Sequence, residues 1–244
     1  MDRWAYFAIT HRDHVICNPT SSAKIDELIA LLDLPQDARV LDIACGKGEV
    51  LVRVLEKYLA SGVGVDLSPP FAEAARRLVA SRLPAGKAEI IEADGADYEA
   101  EPGSFDLPMC LGASWVFGGY RQTLRALRAF VKPGGLVVSG EPFRYRPDQP
   151  PPPGESGSAF GSHAANAGAG AGEGLALLYT IVSSRDDWDR YEGLQWRAAE
   201  RHAREHPGDP DAAEVLAKQR EQRAQYLAEG RDSLGWAVYL FQRE

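Results

Sequence analysis

The chain has 244 residues, of which 45% are hydrophobic and 25% charged, ordinary globular proportions that exclude a disordered chain. Its longest apolar stretch, Gly174 to Ser184, has 11 residues, short of the roughly 18 needed to span a membrane, and Met1-Asp2-Arg3-Trp4 leads into no apolar signal region. The net charge is −8, and the one basic concentration, Arg197 to Arg223, is interleaved with Glu200, Glu205, Glu214 and Glu221, so it reads as a solvated helix face rather than a nucleic-acid surface. Cys17, Cys45 and Cys110 stand far apart without Cys-x-x-Cys spacing, which argues against a disulfide framework or a metal site and fits a reducing cytoplasm.

Residues 1–20 hold Trp4, Tyr6 and Phe7 and the polar string Thr10-His11-Arg12-Asp13-His14; they read as an aromatic closing segment. A helix follows, capped by Ser21 or Ser22, with Ile25, Leu28, Ile29 and Leu32 at helical spacing before Pro35. Arg39 to Ala44 reads as a buried strand entering Cys45-Gly46-Lys47-Gly48, and Leu51, Val54, Leu55 and Tyr58 form the next helical stripe. Gly62 to Val65 is a second strand; Ser68, Pro69 and Pro70 then signal a helix start, with Ser68 as its cap. Ala88–Ile91 and Asp106–Leu111 are further strands. A helix through Leu124, Leu127 and Val131 ends at Lys132-Pro133-Gly134-Gly135, and Leu136–Gly140 is a fifth strand. Such alternation predicts a parallel sheet with helices on both faces.

The composition then changes. Residues 147–174 are rich in proline and glycine and predict a mobile loop with at most a short helix. Leu175–Ser183 resumes as a strand and Gly235–Phe241 closes the chain as another. Between them, within 186–230, lie two helices, with stripes Trp188, Tyr191, Gln195, Ala198, His202 and Ala212, Val215, Leu216, Gln219, Tyr226, Leu227. They are placed to fold over the sheet as a lid. The whole chain, 1–244, reads as one domain whose core spans 21–146.

In an open parallel sheet the binding crevice lies beyond the carboxyl ends of the strands. Four turns converge there: Asp42 to Gly48, Asp66, Asp94-Gly95, and Leu111-Gly112-Ala113-Ser114. Gly46 and Gly48 let a ligand approach the backbone, with the next helix presenting its amide end. Asp66, 18 residues past Gly48, is placed to accept both hydroxyls of a ribose. A glycine turn with a later acid is shared with nicotinamide enzymes. Here Leu51 stands where their third glycine would be, and Glu49 suits a ligand carrying a cation better than a pyrophosphate.

Val40 to Glu49, Gly64 to Ser68, Glu92 to Ala96, Phe105-Asp106 and Leu127 to Gly135 resemble, in order, the motifs of class I S-adenosylmethionine-dependent methyltransferases. The resemblance covers about residues 24–142. It implies a Rossmann-like, seven-stranded, mostly parallel α/β sheet with an antiparallel last strand, here with a helical lid inserted. It implies S-adenosyl-L-methionine as cofactor. Asp42 and Gly46 would border its methionine part, Asp66 would hold the ribose, Leu67 would pack on adenine, and Asp94 and Gly95 would read the amino edge. Ala44, Gly48, Leu111 and Gly112 complete the expected cofactor set; Ala44 departs from the glycine more often found there. Asp13 to Pro19, Gly112 to Trp115 with Gly118-Gly119, Gly140 to Phe143 and Asp187 to Glu192 further resemble a bacterial small-molecule branch of that family. Residues 147–174 depart from its pattern, which bears on the acceptor pocket.

Methyl transfer from a sulfonium is an in-line displacement that depends mainly on holding nucleophile and methyl carbon together. A base is needed only for a protonated acceptor. His14 is one candidate, or it fixes the N-terminal segment through a backbone hydrogen bond. Glu141, read as following the fifth strand, either faces the acceptor or hydrogen-bonds the N-terminal segment. Trp115, Tyr145, Trp188 and Tyr191 could wall a small-molecule acceptor or enclose a cation, or else pack lid on sheet. The rival readings are a nicotinamide-dependent oxidoreductase and a cofactor-binding regulatory protein without turnover.

Overall fold

The computed structural model describes residues 1–148 and 160–244. One sheet carries β1 (Arg39–Ile43), β2 (Ser61–Asp66), β3 (Ala88–Glu92), β4 (Leu107–Leu111), β5 (Leu136–Arg144), β6 (Leu175–Val182) and β7 (Leu234–Arg243). Their spatial order is β3-β2-β1-β4-β5-β7-β6. β1 to β5 pair in parallel, and β7 runs antiparallel to both β5 and β6. The order reverses between β1 and β4, so the crevice opens where Asp42 and Leu111 end their strands.

The central strands are buried on both faces, and side chains alternate between two cores. Val40 joins Leu51, Leu55, Met109 and Leu240 on one face. Leu41 and Ile43 join Val65, Leu124, Leu127 and Tyr239 on the other. Helices α2 (Ser22–Leu31), α3 (Glu49–Tyr58), α4 (Pro69–Arg82) and α5 (Tyr120–Phe130) cover these faces. Ser21 caps α2, its hydroxyl accepting from the Lys24 amide at 3.4 Å. Pro69 and Pro70 open α4, but the Ser68 side chain makes no cap bond. Instead Asp66 Oδ1 accepts the Ser68 amide at 2.9 Å.

The insertion read as a lid consists of α7 (Arg185–Glu205) and α8 (Pro210–Gln225), between β6 and β7. A capping box between Ser184 and Asp187 starts α7, and Asp209 caps α8 ahead of Pro210. A short helix, α6 (His163–Gly168), lies in the glycine-rich stretch; the loop expected over 149–159 falls outside the described residues. No described helix is long and apolar enough to cross a membrane.

Four local readings are corrected. Residues 3–10 form a helix, α1 (Arg3–Thr10), where only an aromatic segment was expected; Asp2 caps it through the Trp4 and Ala5 amides. α1 lies against α4 and α7; just past it Arg12 pairs with Glu205 of α7 at 2.7 Å, and the Tyr6 hydroxyl donates to Gln222 of α8 at 2.8 Å. β5 continues to Arg144, so Glu141 sits inside the strand opposite Ala237 rather than beyond it. α5 ends at Phe130, with Val131 already extended. A π-turn at Tyr226–Gly230 shifts the helical phase: Tyr226 turns inward at 8% exposure while Leu227 turns out at 58%.

Candidate active site

The β1–α3 turn is built on left-handed backbone: φ is 56° at Ala44, 57° at Gly46 and 79° at Gly48. At Gly48 a Cβ would also lie 3.1 Å from that of Ala75, so this glycine serves the close packing of α3 on α4. Ala44 has a side chain where the backbone favours none, a strain on the order of 1 kcal/mol. Ala44→Gly relieves that strain but loses roughly 0.4–1 kcal/mol to the freer unfolded chain, so a thermal scan is expected to show a rise of no more than about 2 °C.

Asp66 locks this turn to the next one. Its Oδ2 accepts the Gly46 amide at 2.7 Å while Oδ1 accepts that of Ser68. Burial raises the Asp66 carboxyl above the usual range, and those two amides counteract the rise. At Asp42 burial is joined by the neighbouring charge of Asp66, and the carboxyl is pushed up to about 8. Two acids with little countercharge make this end of the crevice attractive to a cation. The Lys47 ammonium does not neutralise them: it donates to the carbonyls of His11 at 2.6 Å and His14 at 2.9 Å, clamping the end of α1 over the turn.

These elements line a single open-mouthed cleft. From the sheet side it is lined by Asp42, Ala44, Gly46, Asp66, Leu67, Asp94, Gly95, Leu111 and Gly112, so of the cofactor set read from sequence only Gly48 lies behind the wall. Arg3, Trp4 and Phe7 of α1 and His11 just past its end roof it, with Trp115 from the turn after β4 and Tyr191 from α7.

Four other expected residues sit elsewhere. Tyr145 packs edge-on against Phe143, centroids 5.1 Å apart. Trp188 touches Tyr191 edge-on, centroids 6.2 Å apart, but it stacks on Tyr226 at 6.4 Å and lines a separate hollow within the lid. His14 lines a smaller adjoining cavity, its Nε2 bound to the Tyr191 carbonyl at 2.9 Å, which is the backbone-fixing alternative. Glu141 is buried under the cleft, its Oε1 accepting from Ser114 Oγ at 3.0 Å rather than from the N-terminal segment, and burial pushes it up to about 7.

The imidazole that does reach the cleft is His11, which sequence reasoning missed. Asp2 followed by Trp4, Phe7, Ala8 and His11 at helical spacing was the available signal. Thr10 Oγ1 lies 3.1 Å from the Tyr6 carbonyl, to which it donates, so it accepts His11 Nδ1–H at 3.0 Å. That leaves His11 Nε2 to accept the Tyr191 phenol at 2.9 Å. Burial, reinforced by His14, holds the His11 pKa down at about 3, so the ring is neutral.

Comparison with known proteins agrees with this geometry. Residues 40–135 match the family model of a methyltransferase domain. The chain is 30% identical over 98% of its length to the Escherichia coli (strain K12) protein YjhP, covering 98% of that protein. Two solved structures, both complexes with S-adenosyl-L-homocysteine, superpose throughout. The S-adenosylmethionine-dependent methyltransferase of Geobacter sulfurreducens gives a TM-score of 0.89 at 28% identity, covering 98% of each chain. That of Thiobacillus denitrificans gives 0.87 at 31% identity, covering 100% of this chain and 99% of the other. With a sheet of this order, a cleft at its switch point and relatives of matching length that bind the product of methyl donation, this chain belongs to the class I S-adenosylmethionine-dependent methyltransferases.

Proposed function

We propose that the protein transfers the methyl group of S-adenosylmethionine to a small-molecule acceptor held beneath α1 and the lid, leaving S-adenosylhomocysteine. The observation that carries this reading is the pairing, in one cleft, of buried Asp42 and Asp66 with an aromatic roof. The donor set fits the cofactor. Each Asp66 oxygen accepts one amide and keeps a lone pair, so two ribose hydroxyls can donate to it. Asp42 suits the positive charge of the methionine portion. Leu67, 37% exposed, offers an apolar face to adenine. Asp94 spends Oδ1 on the Ala96 amide at 2.9 Å and has Oδ2 for an amino group.

Bare backbone forms the walls. A Cβ on Gly95 would fall 2.6 Å from Ile43 Cγ2, and one on Gly112 would fall 2.7 Å from the Trp236 ring. The cofactor supplies a methyl carbon made electrophilic by its sulfonium. The protein excludes water with Trp4, Phe7 and Trp115, and it orients the acceptor against the Tyr191 phenol and the neutral His11 behind it. We assign His14 to holding the Tyr191 backbone. Glu141 supports, through Ser114, the turn that carries Trp115. The narrow roof and the acidic chain favour a small acceptor over nucleic acid.

Isothermal titration tests the reading. S-adenosylmethionine and S-adenosylhomocysteine are expected to bind with micromolar affinity and NAD not at all; binding of NAD without the sulfonium cofactor would overturn it. Labelled methyl transfer across a panel of small acceptors then separates an enzyme from a protein that only binds cofactor.

A further inference from the structure

The roof of the cleft carries one charged group that nothing in the cofactor reading uses. Arg3 stands at the start of α1, its guanidinium carbon 5.0 Å from the centre of the Trp4 ring, 5.6 Å from that of Phe7 and 4.7 Å from that of Trp115. Trp4 and Phe7 belong to the roof, whereas Trp115 follows β4 on the opposite side, so Arg3 bridges the mouth. Stacking uses the faces of the guanidinium plane and leaves its edge, with a fork of N–H donors, available for hydrogen bonds.

That edge is unmatched. The neighbouring arginines are paired: Arg12 with Glu205 at 2.7 Å and Arg197 with Asp13 at 2.6 Å. No carboxylate among the described residues lies within 4.0 Å of Arg3. Lys47, the other cationic side chain lining the cleft, has its ammonium on the carbonyls of His11, Arg12 and His14. The cleft is thus polarised, with Asp42, Asp66 and Asp94 at the sheet end and one uncommitted cation at the mouth. Trp115 is 50% exposed there, a large flat surface left partly bare.

We propose that Arg3 recognises a carboxylate on the methyl acceptor, which makes the acceptor an organic acid with a flat apolar body lying against Trp115 and Phe7. The proposal rests on the methyltransferase reading of the same cleft and adds the acceptor's charge and shape to it. A guanidinium already fixed by three rings loses little freedom on forming two parallel hydrogen bonds with a carboxylate. The acids at the sheet end repel the same group, which sets the acceptor's orientation.

The test uses the full chain saturated with S-adenosylhomocysteine and titrated with 2-naphthoate or its neutral counterpart 2-naphthamide. Naphthoate is expected to bind saturably, at least fivefold tighter than naphthamide. Arg3→Met is expected to remove that preference while leaving S-adenosylhomocysteine affinity within twofold, which also shows that the variant is folded. The proposal fails if naphthoate does not bind, if the two probes bind alike, or if Arg3→Met leaves the naphthoate preference intact. A tenfold loss of S-adenosylhomocysteine affinity in Arg3→Met would assign Arg3 to the cofactor's own carboxylate, overturning the acceptor role and sparing the methyltransferase reading. Failure of the unaltered protein to bind S-adenosylhomocysteine at all would overturn both.

Discussion

Replacing Asp66 with alanine is expected to weaken S-adenosylmethionine binding by about 1.5–3 kcal/mol, roughly 10- to 150-fold in Kd by titration calorimetry. Two losses act together. The ribose hydroxyls lose a charged acceptor, and the amides of Gly46 and Ser68, held at 2.7 and 2.9 Å, lose the group that ties the two turns to one another. Asparagine does not rescue the site. Its amide has a single oxygen, so its NH2 must face one of two N–H donors, and Asp66→Asn should fall close to the alanine variant. Folding changes less than binding, because removing a buried charge offsets the two lost hydrogen bonds. An unaltered Kd in either variant would remove Asp66 from the ribose.

Much of the sheet side of this cleft was legible because its signals are local. Val40, Leu41 and Ile43 are all 0% exposed, and that short apolar run, broken only by Asp42 and followed by Gly46 and Gly48, defines a strand and its turn without reference to the remaining chain. The roof of the cleft depends on contacts between distant segments. His11 and His14 are three residues apart, and which imidazole meets the cleft is decided by Tyr191, whose phenol takes one and whose carbonyl takes the other. Spacing alone cannot make that choice. Trp188 and Tyr191 posed the same problem: they share a helix and a stripe, but the π-turn that swings Tyr226 inward draws Trp188 into the lid. The end of β5 misled for another reason. By sequence the strand reads as ending at Gly140, yet the antiparallel ladder with β7 carries it to Arg144, burying a carboxylate read as either facing the acceptor or bonding the N-terminal segment.

Asp42→Asn should separate stability from binding. In the free protein, burial and the charge of Asp66 hold the Asp42 carboxyl at about 8, against 3.8 for an unperturbed group. The folded chain therefore keeps a proton on Asp42 that the unfolded chain releases. Stability linked to Asp42 is fully present below pH 4 and is lost as pH rises through 8. Asparagine mimics the protonated side chain at every pH. At pH 7 the shift corresponds to a ceiling of about 4 kcal/mol, which water in the open cleft reduces to about 2 kcal/mol, and the variant should melt several degrees higher. Binding moves the other way. A cationic cofactor requires the ionised carboxylate, so below pH 8 the unaltered protein must release a proton on binding. Its affinity should climb by up to tenfold per pH unit between pH 6 and 8 and then level off. Calorimetry in buffers of different ionisation enthalpy should detect that proton. Glu141, at about 7, titrates in the same window but lies outside the cleft and is unchanged in the variant. Asp42→Asn should consequently bind more weakly, with a shallow pH dependence and little proton release. A flat affinity from pH 6 to 8 in the unaltered protein, together with undiminished binding by Asp42→Asn, would show that Asp42 does not hold the cofactor's positive charge.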